Sequence, residues 1–150
     1  MTADGVPRAA ERGFTPAGVV TLLTDFGSSE PFVGVMKGRI LGICPGARIV
    51  DLTHDLAPFG KAQAAFWIER VRRDFPPGTV HLVIVDPGVG TSRRLIAVLL
   101  DGQVLLGPDN GVLGGVAREP AAEVRAVSGE VLAKLHPRPS STFHGRDWFA

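Results

Sequence analysis

The sequence predicts an α/β fold: a three-layer sandwich with a mixed, mostly parallel sheet flanked by helices. Two observations carry that expectation. Short apolar runs alternate with segments whose apolar residues recur at helical spacing, the pattern of strand–helix–strand crossovers. Two neighbouring apolar runs are instead joined by Asp101-Gly102 alone, a hairpin signal that adds one antiparallel pair.

The elements follow in order. Val19-Val20-Thr21-Leu22-Leu23 reads as a buried strand ending at Thr24-Asp25. Gly27-Ser28-Ser29-Glu30-Pro31 supplies capping residues and a proline suited to a first helical turn. Val33, Met36, Ile40 and Ile43 then fall at helical spacing until Pro45-Gly46 stops the helix. Arg48 to Leu52 is a short second strand. A second helix spans Lys61 to Arg73, with Ala62, Ala65, Phe66 and Ile68 as its apolar surface and Pro76-Pro77-Gly78 as its stop. Thr79 to Val85 is the next strand. Leu95 to Leu100 and Gln103 to Leu106 form the hairpin, a short helix follows the Pro108-Asp109-Asn110-Gly111 turn, and Glu123 to Val127 is a weak last strand. Residues 136–142 form a polar, proline-rich connection. Residues 1–16 have no apolar core and read as a flexible extension rather than a signal peptide, leaving 17–150 as one α/β domain.

Composition narrows the function. A chain of 150 residues, 45% hydrophobic and 21% charged, is ordinary for one globular domain. A formal net charge of +1 gives no electrostatic case for nucleic acid or an anionic membrane. Arg70, Arg72 and Arg73 read as the solvated end of a helix. Cys44 is the single cysteine, so no internal disulfide forms; this fits a reducing, cytoplasmic setting, and Cys44 itself reads as a small buried hydrophobe.

Asp86-Pro87-Gly88-Val89-Gly90 is the most informative stretch. It places a carboxylate just past a buried strand, where open α/β sheets bind ligands, in a turn with little side-chain bulk. Asp25, Asp51 and Asp109 fall at or near other strand ends. Asp25 could accept hydrogen bonds from a ribose diol. Asp51-Leu52-Thr53-His54-Asp55 reads as half of a metal site or as a turn in which His54 bonds to backbone or to Asp55. Arg93 or its neighbour Arg94 could pair with Asp86 and keep it ionised. Phe143-His144-Gly145-Arg146-Asp147 is a second polar cluster, and His144 completes an Asp–Arg–His trio if the fold brings it close.

In this order the chain carries Thr24-Asp25-Phe26-Gly27, Gly34-Val35-Met36-Lys37-Gly38, Ile49-Val50-Asp51-Leu52-Thr53-His54, Phe75 to His81, Asp86 to Gly90, Pro108 to Gly111 and Ser141 to Asp147. With these motifs it resembles the S-adenosyl-L-methionine (SAM) hydroxide adenosyltransferases, or SAM hydrolases, relatives of the fluorinase and chlorinase, over roughly residues 18–150. The resemblance implies attack of water or hydroxide on C5′ of the adenosyl group, releasing adenosine and methionine, with SAM as substrate and no cofactor or metal. By motif position the catalytic trio falls on Asp86, Arg93 and His144. The ribose-binding carboxylate falls on Asp25, and Phe59 beside the substrate. Gly145 stands where the halogenating relatives have a halide-binding Ser, and Asp86 where the fluorinase has Tyr, so hydrolysis rather than halogenation is expected. The resemblance also implies a C-terminal β-barrel domain that is not in this sequence, and a homotrimer whose SAM site lies between that domain and a neighbour's N-terminal domain. Two other readings stand beside it: a non-catalytic SAM- or adenosine-binding module, and a metal-dependent hydrolase built on Asp25, Asp51, His54, Asp86 and Asp109.

Overall fold

The structure, a computed structural model, describes residues 14–89 and 91–135. Six strands form one sheet: β1 (Val19–Thr24), β2 (Arg48–Thr53), β3 (Val80–Ile84), β4 (Leu95–Leu100), β5 (Gln103–Pro108) and β6 (Glu123–Ala126). Their order across the sheet is β2-β1-β3-β5-β4-β6. β1 runs parallel to β2 and β3, and β3 parallel to β5. β4 is antiparallel to both β5 and β6, so the expected single antiparallel pair is in fact two. The helices are α1 (Phe32–Ile43), α2 (Lys61–Val71), α3 (Gly114–Ala117) and α4 (Gly129–Leu135).

Alternation along the strands builds two cores. On one face Leu23, Val83, Val85, Val98 and Leu105 pack with Ala64 and Ile68 of α2 and Val116 of α3. On the other, Leu22, Leu82, Ile84 and Leu95 pack with Val33, Met36 and Ile40 of α1. The central strands are covered on both faces, which is why they read as continuous apolar runs. The Asp101-Gly102 hairpin forms as expected; both residues have positive φ (51° and 73°), the pairing that matches the strand twist.

Several local expectations are corrected. No side chain caps α1; Pro31 occupies its N-cap, and its carbonyl accepts the Val35 N–H at 2.9 Å. Ile43 is 76% exposed at the helix end, and Cys44 beside it is exposed rather than buried. α2 stops at Val71, and residues 72–74 continue as a 3-10 turn. Its buried stripe is Ala64 and Ile68, while Phe66 is exposed. Arg72 is not a solvated helix end: its side chain is 2% exposed, and it donates to Asp101 Oδ2 at 2.9 Å and Glu119 Oε1 at 3.0 Å.

The amino-terminal end of the sheet holds a buried polar assembly. Gln103 donates to the carbonyls of Arg72 and Phe75. Gly78, at φ +86°, approaches Thr15 and Ala17 so closely that a Cβ there would lie 2.2 Å from the Thr15 carbonyl oxygen. His81, fully buried on β3, sits with Nδ1 2.7 Å from Thr21 Oγ1, and the ring of Phe75 packs against it edge-on. Burial, aided by the Arg72 charge and opposed by Gln103, lowers the His81 pKa from its ordinary 6.5 to about 4. The folded chain therefore excludes a proton that the unfolded chain takes up below pH 6.5. The stabilisation is complete above that pH and is lost as pH falls toward the folded pKa. Between pH 7 and pH 5 His81 should cost about 2 kcal/mol of unfolding free energy. Denaturant titrations at the two pH values check this, with His81→Leu expected to flatten that share of the pH dependence.

Candidate active site

The parallel strands β1, β2, β3 and β5 all end at the same edge of the sheet. Asp25, His54, Asp86 and Asp109 lie one or two residues past those ends. From β1 the chain crosses to β2 on one side, and from β3 it proceeds to strands on the other. The adjacent pair β1/β3 is therefore the topological switch point, where a crevice opens in sheets of this kind. Thr24 pairs with Ile84 across it, so Asp25 and Asp86 leave the sheet side by side.

Asp86 is the most buried carboxylate of that edge. Its side chain is 4% exposed and that of Arg93 is 7%. Arg93 Nε lies 2.8 Å from both Asp86 oxygens, and Nη2 bonds Oδ2 as well, so the guanidinium clamps the carboxylate side-on. The turn between them makes this possible. Asp86 O accepts Val89 N–H, and Gly88 O accepts both the N–H and the hydroxyl of Thr91. A Cβ on Gly88 would lie 3.2 Å from Arg93 Cδ, in tight contact with the packed arginine. Arg94 points elsewhere: it is 70% exposed and pairs with Asp109 at 2.6 Å. The choice between the two arginines, open in the sequence, is thus made by geometry as far as contact with Asp86 goes.

Asp25 Oδ2 accepts the backbone N–H of Phe59 at 2.9 Å. Phe59 has φ +59°, a costly conformation for an aromatic residue, and its side chain is 64% exposed at the same edge. One residue that the sequence marked only as a turn former proves structural to the site. Asn110 donates from Nδ2 to Val85 O at 2.9 Å and accepts Val112 N–H, tying the strand end that carries Asp86 to the loop after β5. Its partner lies 25 residues away, so only the Asn-Gly turn signal was visible beforehand.

His54 bonds neither to Asp55 nor to a backbone group through its ring. Nδ1 lies 2.9 Å from Thr24 Oγ1 and Nε2 3.1 Å from Asp51 Oδ1, while Lys37 Nζ holds Asp51 Oδ2 at 2.6 Å. Partial burial raises the Asp51 pKa, but the hydrogen bonds and charges of Lys37 and His54 outweigh it and keep the carboxylate below its ordinary value. Among the described residues no group of three His, Cys, Asp or Glu side chains comes together as metal ligands. A cleft of about 560 Å³ between β2 and α2, lined by Leu52, Trp67 and Phe75 among others, contains none of Asp25, Phe59, Asp86 or Arg93. His144 and Gly145 lie outside the described residues. Among the described residues no helix is long and apolar enough to cross a membrane.

The family model of the SAM hydroxide adenosyltransferase N-terminal domain matches residues 20–150. The chain belongs to the SAM hydroxide adenosyltransferase family. An (R)-S-adenosyl-L-methionine hydrolase of Methanocaldococcus jannaschii is 39% identical over 137 residues, 88% of this chain and 50% of that protein. A fluorinase of an Actinoplanes species is 29% identical over 88% of this chain and 52% of its own length. An uncharacterized conserved protein of Thermotoga maritima has a crystal structure that superposes with TM-score 0.80 at 43% identity, over 87% of this chain and 50% of that one. The chain spans about half the length of the SAM hydroxide adenosyltransferase relatives it matches.

Proposed function

We propose that this chain carries the catalytic carboxylate and guanidinium of a SAM hydrolase, which cleaves SAM to adenosine and L-methionine. The buried Asp86–Arg93 clamp at the switch point beside Asp25 is the observation that carries the reading. A sulfonium leaves as a neutral thioether, so no acid need protonate the departing group. The burden falls on the nucleophile, which must be oriented behind C5′ and relieved of a proton. Asp86, paired with the Arg93 guanidinium, presents carboxylate oxygens that accept hydrogen bonds and suit an attacking water. Arg93 stabilises hydroxide character. His144 joins them by motif position, as acceptor or relay of the same proton.

Asp25 takes the ribose diol, and the exposed ring of Phe59 packs against the nucleoside. The negative Asp86 disfavours a halide nucleophile. The trimeric assembly and the role of Gly145 rest on the resemblance alone. Incubating the chain with SAM in ¹⁸O-water, beside the full-length M. jannaschii relative as control, should yield adenosine labelled at the 5′ oxygen together with methionine. Binding of SAM with no adenosine released would instead select the non-catalytic module. Asp25→Ala should raise the apparent KM for SAM tenfold or more, about the worth of one charge-assisted hydrogen bond, with a smaller change in kcat. Steady-state kinetics decide it: an unchanged KM removes Asp25 from the ribose.

A further inference from the structure

We propose that His54 is a positioning residue: its imidazole, fixed in a single tautomer by Asp51, holds the turn Thr24-Asp25-Phe26 so that the Asp25 carboxylate is set to receive a ribose diol. The proposal rests on the reading of Asp25 given above.

The direction of each hydrogen bond can be worked out. Thr24 Oγ1 accepts the Phe26 N–H at 3.2 Å and has one proton of its own to give. The ring nitrogen beside it is His54 Nδ1 at 2.9 Å. The other ring nitrogen, Nε2, faces Asp51 Oδ1 at 3.1 Å. Lys37 keeps Asp51 ionised, and a carboxylate 3.1 Å away favours an N–H over a lone pair, so the charge places the hydrogen on Nε2. In the neutral ring Nδ1 is then a bare acceptor, and the Thr24 hydroxyl donates to it. The opposite tautomer would set the Nε2 lone pair against a carboxylate. The donors therefore run one way, Phe26 N–H to Thr24 and Thr24 O–H to His54, while the His54 Nε2–H faces the Asp51 carboxylate at 3.1 Å, an electrostatic contact without the alignment of a hydrogen bond.

His54 also grips the far side of the turn, because its carbonyl accepts the Gly27 N–H at 2.7 Å. Residues on both sides of Asp25 are thus tied to one nine-tenths-buried histidine. The same loop sends the Phe59 N–H to the Asp25 carboxylate itself. His54 touches no reacting atom in this scheme; it acts through Thr24 and the backbone.

Long-range ¹⁵N NMR on the histidine-labelled chain at pH 8 should show His54 protonated on Nε2, and protonation on Nδ1 would overturn the proposal. Asp51, at the exposed edge of β2, can be changed with little cost to the core. In Asp51→Leu the Nδ1–H form should become populated. The Phe26 and Phe59 amides should exchange about tenfold faster and adenosine should bind about tenfold more weakly, the scale of one lost hydrogen bond. Asp51→Asn, which keeps an acceptor oxygen, should restore most of both. Unchanged amide exchange in Asp51→Leu would refute the role. Should that variant not fold, the near-isosteric Thr24→Val should give the same amide signature, and its absence there counts equally against the proposal. If the wild-type chain takes no adenosine at all, the ribose reading of Asp25 falls, while tautomer and amide exchange still judge His54.

Discussion

Asp86→Asn should reduce adenosine release by roughly a hundred- to ten-thousand-fold, the range expected when a positioned proton acceptor is lost. The amide keeps the shape of the carboxylate but not its charge. It has only one acceptor oxygen, and its amide NH2 would face the donating guanidinium that clamps the carboxylate. Discontinuous chromatography of adenosine and methionine, with circular dichroism to confirm the fold, reads the outcome; turnover within a factor of two of wild type would remove Asp86 from the chemistry. Arg93 gives the complementary test. Its removal leaves Asp86 buried without its counter-charge, so Arg93→Ala should lose activity and also about 3 kcal/mol of stability. Arg94→Ala, at an exposed pair with Asp109, should change neither by much.

Arg72→Ala should destabilise the fold by about 2–4 kcal/mol, mainly through the cavity it leaves, while the Asp86–Arg93 geometry stays in place. The side chain is almost wholly buried and joins three parts of the chain: the turn after α2, the Asp101 hairpin and Glu119 after α3. Deleting it leaves a cavity and removes the shared hydrogen-bond donor of Asp101 and Glu119, two carboxylates that water still reaches. Arg72→Met, which fills most of the volume, should recover part of the loss. Urea unfolding at pH 7 measures both, and a loss under 1 kcal/mol for the alanine variant would show that the pair adds nothing beyond its burial.

The strands and the hairpin were legible because their signals are local. β1 and β3 are unbroken apolar runs, and Asp101-Gly102 admits few conformations other than a tight turn. That an arginine past the glycine turn would pair with Asp86 was legible for the same reason, Arg93 being seven positions on, but the choice of Arg93 over Arg94 was not. What was missed depends on distant partners. Arg72 meets its carboxylates 29 and 47 residues away, and His54 meets Thr24 across 30. A run of arginines at a helix end looks solvated until the hairpin that covers it is known. Cys44 went wrong in the opposite sense, since an apolar preference says nothing about whether a neighbour arrives to bury the residue. The second antiparallel pair turned on a four-residue strand too short to declare its direction.

The sheet divides its polar residues by end. Arg72, His81 and Gln103 brace the margin where β3 and β5 begin, and Asp25, Asp86 and Arg93 occupy the margin where they finish. On the function proposed above, the groups that would handle the nucleophile thus lie apart from this brace, although the buried Asp86–Arg93 pair adds stability of its own. If that margin is the reactive one, replacements there leave Arg72, His81 and Gln103 in place, so the chemistry can change while the brace stays. Proteins named as hydrolases and as fluorinases sharing this one domain are what such a partition permits.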